Sequence, residues 1–376
     1  MPARIRFATL AAMQEEVIGL LKQLVEIDSV NTSLVPGAAG EAEIARFVAG
    51  WATENGLKAE IIGDSVIVRT SGGPGRKLLL CGHLDTVGLG GMTDPLVPRI
   101  EGDRLYGRGA YDMKAGLAAA LIACRDSQGL PGEVIVAAVS DEEHSSRGIQ
   151  ETLPYLQADA AIVCEPTELT IAVAHKGFAW TEIEVHGKAA HGSRPHLGVD
   201  AILKTGPILV ALDKLDKSLR ARTHDLLGSG SLHASLISGG REETTIPDRC
   251  VLTVERRTLP GETLAHVEQD IADLLAACAQ ADPELVATSR TTQARDGMQT
   301  PPDAEIVRIL AAEAGNPEIA GASYWADSAF ISGAGIPTVL YGPGGEGAHA
   351  DVEWASITDT ITCAAVLTST ARRFCG

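Results

Sequence analysis

Four short apolar runs punctuate the chain at residues 77–81, 134–139, 160–164 and 338–341. Each leads into a stretch carrying a side chain that can bind a divalent cation, in turn His83, Glu143, Glu165 and His349. A fifth such residue, Asp112, stands just ahead of an Ala- and Leu-rich stretch, residues 113–125, that reads as a buried helix. Strand-like runs alternating with helical patterns predict a mainly parallel sheet covered on both faces. In such a sheet the carboxyl ends of the strands open onto a crevice. The chain is thus constrained toward an α/β fold with its polar chemistry at one sheet edge.

Around this frame the pattern predicts helices over residues 17–24 and 41–55, the second stopped by Gly56, and further strands at 59–62 and 66–69. The texture changes near Lys176. Residues 178–186 alternate apolar and polar, as in a strand with one wet face. Helix 200–219, strands 232–238 and 250–257, helix 263–280 and strand 285–291 follow. The order β-α-β-β-α-β is that of a ferredoxin-like α+β module. The expected organisation is a catalytic domain of residues 1–176 and 292–376 interrupted by an inserted domain, residues 177–291. Residues 293–302 read as the connecting loop.

The formal charge of −18 repels phosphate backbones, which argues against a nucleic-acid partner. Seven Cys residues without a CxxC pair read as small buried thiols in a reducing compartment. At the N-terminus, Arg4 and Arg6 open a stretch in which Gln14, Glu15 and Glu16 cut the apolar run too short for a leader peptide. No run reaches the roughly 18 apolar residues that a membrane span needs. Together these features predict a cytoplasmic protein without a membrane partner.

Taken singly, each motif has an ordinary explanation. His83 and Asp85 in GHLDTV could simply end a strand, although an Asp two residues on could also hold the imidazole tautomer. Asp112 before a helix is commonly an N-cap, and its two oxygens could equally bridge two cations. The acids of DEEHSSRG would usually be a solvated loop. The sharper reading has Glu143 bind metal while Glu142 holds a water, because adjacent carboxylates at a strand end repel unless cations neutralise them. Glu165 in CEPTE would be costly to bury without a partner. The Gly-rich GPGGEGAH lacks a GK[ST] pattern, so delivery of His349 to a metal is its better use. Two imidazoles and three carboxylates suit two divalent cations, Zn²⁺ foremost, with Co²⁺ or Mn²⁺ as substitutes.

In this order the segments GHLDTV, GRGAYDMKAG, DEEHSSRG, CEPTE, GKAAHGSRPHLGVDA, ERRTLPGE and GPGGEGAH resemble the zinc-dependent family of acetylornithine deacetylases, succinyl-diaminopimelate desuccinylases, aminoacylases and carboxypeptidase G. The likeness covers nearly the whole chain. It implies that His83, Asp112, Glu143, Glu165 and His349 bind two metals, with Asp112 bridging, Asp85 supporting His83 and Glu142 acting as general base. It also implies that the inserted module is a lid and dimerisation domain of a homodimer. In that domain His191 would stabilise an oxyanion in the partner subunit's site and Arg257 would hold the substrate carboxylate. Two positions depart from the family. Thr244 stands in GGREETTIPD where relatives carry Asn, and Ala326-Asp327-Ser328 stands where many read TDA.

The expected reaction is hydrolysis of the amide bond of an N-acyl amino acid or a short peptide with a free carboxylate, by metal-activated water. Two alternatives stand beside it: a non-catalytic metal-stabilised binding or scaffold protein, which would have no use for Glu142, and a two-zinc aminopeptidase, which would prefer a free amine.

Overall fold

The computed structural model describes residues 3–376, with side chains from Gln14 onward, so the side chains of Arg4 and Arg6 lie outside the described residues. By contact the chain separates into two units: Met1–Val173, Thr300–Ala320 and Ala326–Gly376 form one, and Ala174–Gln299 with Gly321–Trp325 the other. Among the described residues no helix is long and apolar enough to cross a membrane.

The first unit is built on a mixed sheet. Seven of its strands lie in the order Lys58–Ile62, Ser65–Arg69, Glu133–Val139, Lys77–His83, Ala160–Val163, Thr338–Leu340, Ile171–His175. The middle four are mutually parallel, as the alternation of strand and helix implies, and the flanking pairs are antiparallel. Every residue from Val134 to Val139 is buried, which requires cover on both faces and explains why the run is apolar without alternation. The Ala115–Arg125 helix packs against Ile357–Cys375, and both lie on the Lys77–His83 and Glu133–Val139 strands. At the other end of the chain, the helix Ala3–Glu26 buries Val17, Leu20, Leu21 and Leu24 on one face.

Parallel register fixes where the chemistry falls. His83 lies opposite Val139, and Cys81 opposite Val163. The chain segments leaving these strands therefore emerge side by side at one edge, carrying Asp85, Glu142, Glu143 and Glu165. A small antiparallel sheet completes the edge. Trp354–Ser356 pairs with Arg104–Tyr106 on one side and with Gly345–Glu346 on the other. These strands are too short to show in the sequence pattern.

The second unit is an antiparallel four-stranded sheet, ordered Ser231–Gly239, Arg249–Thr258, Gly177–His186, Val286–Arg295, packed on the helices Ala201–Arg220 and Leu264–Ala281. This is the β-α-β-β-α-β order. Its core takes Ile183, Val185, Leu252 and Val254 from the sheet and Ile208, Leu212, Ile271 and Leu275 from the helices. Asp200 starts the first helix by accepting the N–H groups of Ile202 and Leu203 at 2.9 and 3.0 Å.

One expectation is corrected here. Gln293, Ala294 and Arg295 are not a loop but continue the last strand, pairing with Trp180, Ala179 and Phe178 after a register shift beyond Thr291. This strand lies at the sheet's edge with a largely exposed surface, so it carries no apolar alternation for a pattern to detect.

Helix and sheet approach most closely at Gly116, where an added Cβ would lie 1.9 Å from the carbonyl oxygen of Cys164. Backbone cannot retreat there without moving the strand end that delivers Glu165. Gly116→Ala is expected to destabilise the protein by about 1–3 kcal/mol, the usual range for overpacking. Thermal unfolding would register this as a lowered midpoint, and an unchanged midpoint would contradict the close approach.

Candidate metal centre

His83 is the last residue of its strand and is 2% exposed. Its Nδ1 lies 2.9 Å from the main-chain carbonyl oxygen of Asp85. A carbonyl can only accept, so Nδ1 carries the proton and Nε2 is left as the donor atom for a cation. That Nε2 lies 3.2 Å from Asp112 Oδ1 and 3.9 Å from Glu165 Oε1. The other oxygen of Asp112, Oδ2, lies 3.3 Å from His349 Nε2, which is itself 3.0 Å from Glu143 Oε2. Two donor sets result, His83 with Asp112 and Glu165, and Asp112 with Glu143 and His349, each with ligand atoms within 4.8 Å of one another. The five residues singled out from the sequence thus converge, and Asp112 belongs to both sets through different oxygens.

Asp112 is not an N-cap. The regular helix begins at Ala115, and Asp112 sits in an irregular turn, Ala110–Lys114, whose Asp112–Met113 peptide is cis. Asp85 also differs from expectation. Its carboxylate is 3.6 Å from His83 Nδ1, and its backbone makes the close contact instead. The carboxylate is occupied elsewhere, accepting the N–H of Glu142 on Oδ1 and of Glu143 on Oδ2, both at 3.1 Å. Sequence spacing brings Asp85 near His83, but the neighbouring strand end presents two free amides that claim its side chain. Asp85 therefore fixes the loop carrying Glu142 and Glu143.

Asn31 escaped the sequence reading. Its Nδ2 donates to Asp85 Oδ2 at 2.9 Å and to Asp141 Oδ1 at 3.0 Å, bridging two buried carboxylates that would otherwise repel. A lone Asn after the first helix offers no sequence signal for this, since its partners lie 54 and 110 residues away.

The electrostatics suit a cation site. Burial pushes the Glu165 carboxyl up to about 8, although His83 pulls the other way. Burial likewise raises Glu143, and lifts Glu142 well above the carboxylate range. Burial would raise Asp112 too, but hydrogen bonds from His349 and His83 hold it well below the usual range. Hydrogen bonds to Asp112 and Glu143 raise His349 to about 10. The hard and borderline donors, together with their crowding, fit divalent metal ions.

Of the expected module residues, His191 is exposed in a two-residue strand, Ala190–His191, paired with Thr245–Ile246. Its Nδ1 accepts the main-chain N–H of Ser193 at 3.1 Å, so Nε2 carries the proton and is left as a donor. Thr244 lies in the facing segment and receives the Gly192 N–H on its carbonyl at 2.8 Å. Arg257 Nε lies 2.7 Å from Glu255 Oε1, and its guanidinium is 5.6 Å from the Phe178 ring centre. Arg256 is buried and points the opposite way, as strand alternation requires, into ion pairs with the half-buried Glu262 and Asp270.

Sheet and cluster together define an α/β fold with a candidate metal centre at its carboxyl edge. Residues 79–373 match the sequence pattern of Peptidase family M20/M25/M40, and the chain belongs to this family. It is 32% identical to an acetylornithine deacetylase of Myxococcus xanthus, over 95% of this chain and 97% of that protein. Two solved structures share the fold. A metallo-carboxypeptidase of the M20 family from Sulfolobus solfataricus superposes with a TM-score of 0.76 at 19% identity, covering 96% of this chain and 99% of that one. A dinuclear metal-binding M20 peptidase of Bacillus subtilis gives 0.77 at 16% identity, covering 97% and 99%. The chain is accordingly a metallo-amidohydrolase of the deacylase and peptidase kind.

A cation entering this cluster must displace the protons held by Glu165 and His349, whose values lie near 8 and 10. Raising the pH from 6 to 8 removes part of that competition. Apparent affinity for Zn²⁺ should therefore strengthen over this interval, with proton release on binding. Competition against a chromophoric chelator at several pH values measures the first, and a weakly buffered indicator dye the second.

Proposed function

We propose that the protein hydrolyses the amide bond of an N-acyl amino acid or a short peptide bearing a free carboxylate. The observation that carries this reading is the pair of donor sets sharing Asp112, with Glu142 beside them on the loop that Asp85 holds. His83, Asp112 and Glu165 would hold one cation, and Asp112, Glu143 and His349 the other. Two Zn²⁺ ions there, or Co²⁺ or Mn²⁺ in their place, would polarise the amide carbonyl and make water acidic enough to attack near neutral pH.

The chain's own residues do the rest. Glu142 takes the proton of the attacking water on its carboxylate, then passes it to the leaving nitrogen. Its place next to Glu143, on the loop that Asp85 holds, supports this shuttle. Asp85 holds Glu142 in place through its main-chain N–H. His191, with Nε2–H as its free donor, is suited to the developing oxyanion of the partner subunit's reaction. Arg257 would receive the substrate carboxylate.

A homodimer formed through the second unit has its own support. The strand Ser231–Gly239 lies at the sheet's edge, with Leu236 68% and Ile237 58% exposed. An unpaired, partly apolar edge is a liability that a second copy would cover. Seven free, buried cysteines support a reducing, cytoplasmic setting.

Glu142→Ala is expected to abolish turnover while two cations per chain remain bound. Metal analysis and a hydrolysis assay on the same sample test it, and a variant that still turns over eliminates this mechanism. Arg257→Ala should lower kcat/KM for N-acyl amino acids by about tenfold or more, the cost of losing a charged hydrogen bond, while sparing substrates whose carboxylate is amidated. Running acetyl-amino acids, dipeptides and aminoacyl amides side by side separates a deacylase or carboxypeptidase from an aminopeptidase.

A further inference from the structure

Four residues beyond His349 stands Glu353, an acid that is 1% exposed. Its oxygens are used in two different ways. Oε2 meets Arg108 Nη1 at 2.8 Å and accepts the Gly109 N–H at 3.0 Å. Oε1 accepts the main-chain N–H of Tyr111 at 3.0 Å and of Asp112 at 3.1 Å. Arg108 is itself only 2% exposed, so the pair is buried. A counter-ion for Arg108 needs one of those oxygens. The other is spent wholly on the turn that presents Asp112.

The consequence is geometric. Asp112 reaches His83 with one oxygen and His349 with the other, so any rotation of the 109–112 backbone shifts both donor sets together. Glu353 also lies on the segment that carries His349, and Asp351 between them accepts the Gly91 N–H at 3.0 Å. Immediately after Glu353 the chain is pinned again, with Trp354 opposite Tyr106 in the small sheet. One carboxylate thus ties the Asp112 turn to the His349 segment, across 241 residues of sequence.

We propose that Glu353 is a positioning residue that sets the spacing between the two cation sites, by clamping residues 109–112 against the segment bearing His349. The proposal rests on the two-cation reading given above. It follows that Glu353 should matter to cation binding beyond its pairing with Arg108.

Cobalt titration of the full chain tests this, with the visible absorption of bound Co²⁺ as a readout independent of turnover. The double variant Arg108→Met/Glu353→Gln removes the buried charge pair as a unit and leaves no lone guanidinium. The amide keeps the shape of Glu353, but its NH₂ cannot accept, so either Gly109 or the Tyr111–Asp112 pair loses its partner. Glu353→Asp keeps the charge for Arg108 and withdraws the carboxylate by one methylene. The wild type is expected to bind two Co²⁺ ions. Each variant is expected to retain the native circular dichroism, to bind the second ion about 10- to 100-fold more weakly, as loss of a partner that orients a ligand usually costs, and to show altered visible bands. Two ions at wild-type affinity with an unchanged spectrum, in either folded variant, overturn the proposal and leave Glu353 as the counter-ion of Arg108. If the double variant does not fold, Glu353→Asp decides by the same criterion. A wild type that binds fewer than two ions sinks the two-cation reading and this inference with it.

Discussion

Like charges brought to one place are the constraint around which this molecule is arranged. Asp112, Glu143 and Glu165 come together with two imidazoles at the carboxyl edge of a parallel sheet, and Glu142 stands beside them. Carboxylates so crowded repel one another, and burial adds to the cost. The protein meets that cost by rigidity, since strand ends, a clamped turn and a chain of buried hydrogen bonds hold each acid where it is. Divalent cations would complete the arrangement chemically, because they would supply the positive charge that crowded carboxylates need.

Much of the supporting structure consists of carboxylates that do not face the cluster. Asp85 spends its side chain on the amides of Glu142 and Glu143, and Glu353 spends its own on Gly109, Tyr111 and Asp112. Asn31 then separates Asp85 from Asp141. Main-chain N–H groups at strand ends and turns are donors that must be satisfied when buried. Satisfying them with acids makes the loops stiff and acidic at once, as a cation site requires.

The second unit follows a different logic. Its sheet alternates, so one face builds a core with two helices while the other keeps Phe178, Trp180 and Arg257 accessible. The pleat also separates two adjacent arginines. Arg256 is locked into Glu262 and Asp270, whereas Arg257 lies by Phe178 and Glu255. A one-residue slip of that strand would exchange their roles.

The parallel core of the sheet, the module order and the positions of five converging side chains at strand ends and turns were all legible in the sequence, since each is local. Apolar runs mark buried strands wherever they occur, and a residue's distance from a strand end survives folding unchanged. The second half of the fold's logic depends on partners far apart in the chain. That the backbone of Asp85, and not its side chain, meets His83; that Asn31 bridges two acids; that Glu353 grips the Asp112 turn; that residues 293–295 pair as strand: none of these leaves a periodic trace. A hydrogen bond is decided by which donors and acceptors are left unpaired once the strands are side by side. Sequence determined which residues could reach the edge, and only tertiary structure decided whom each of them would hold there.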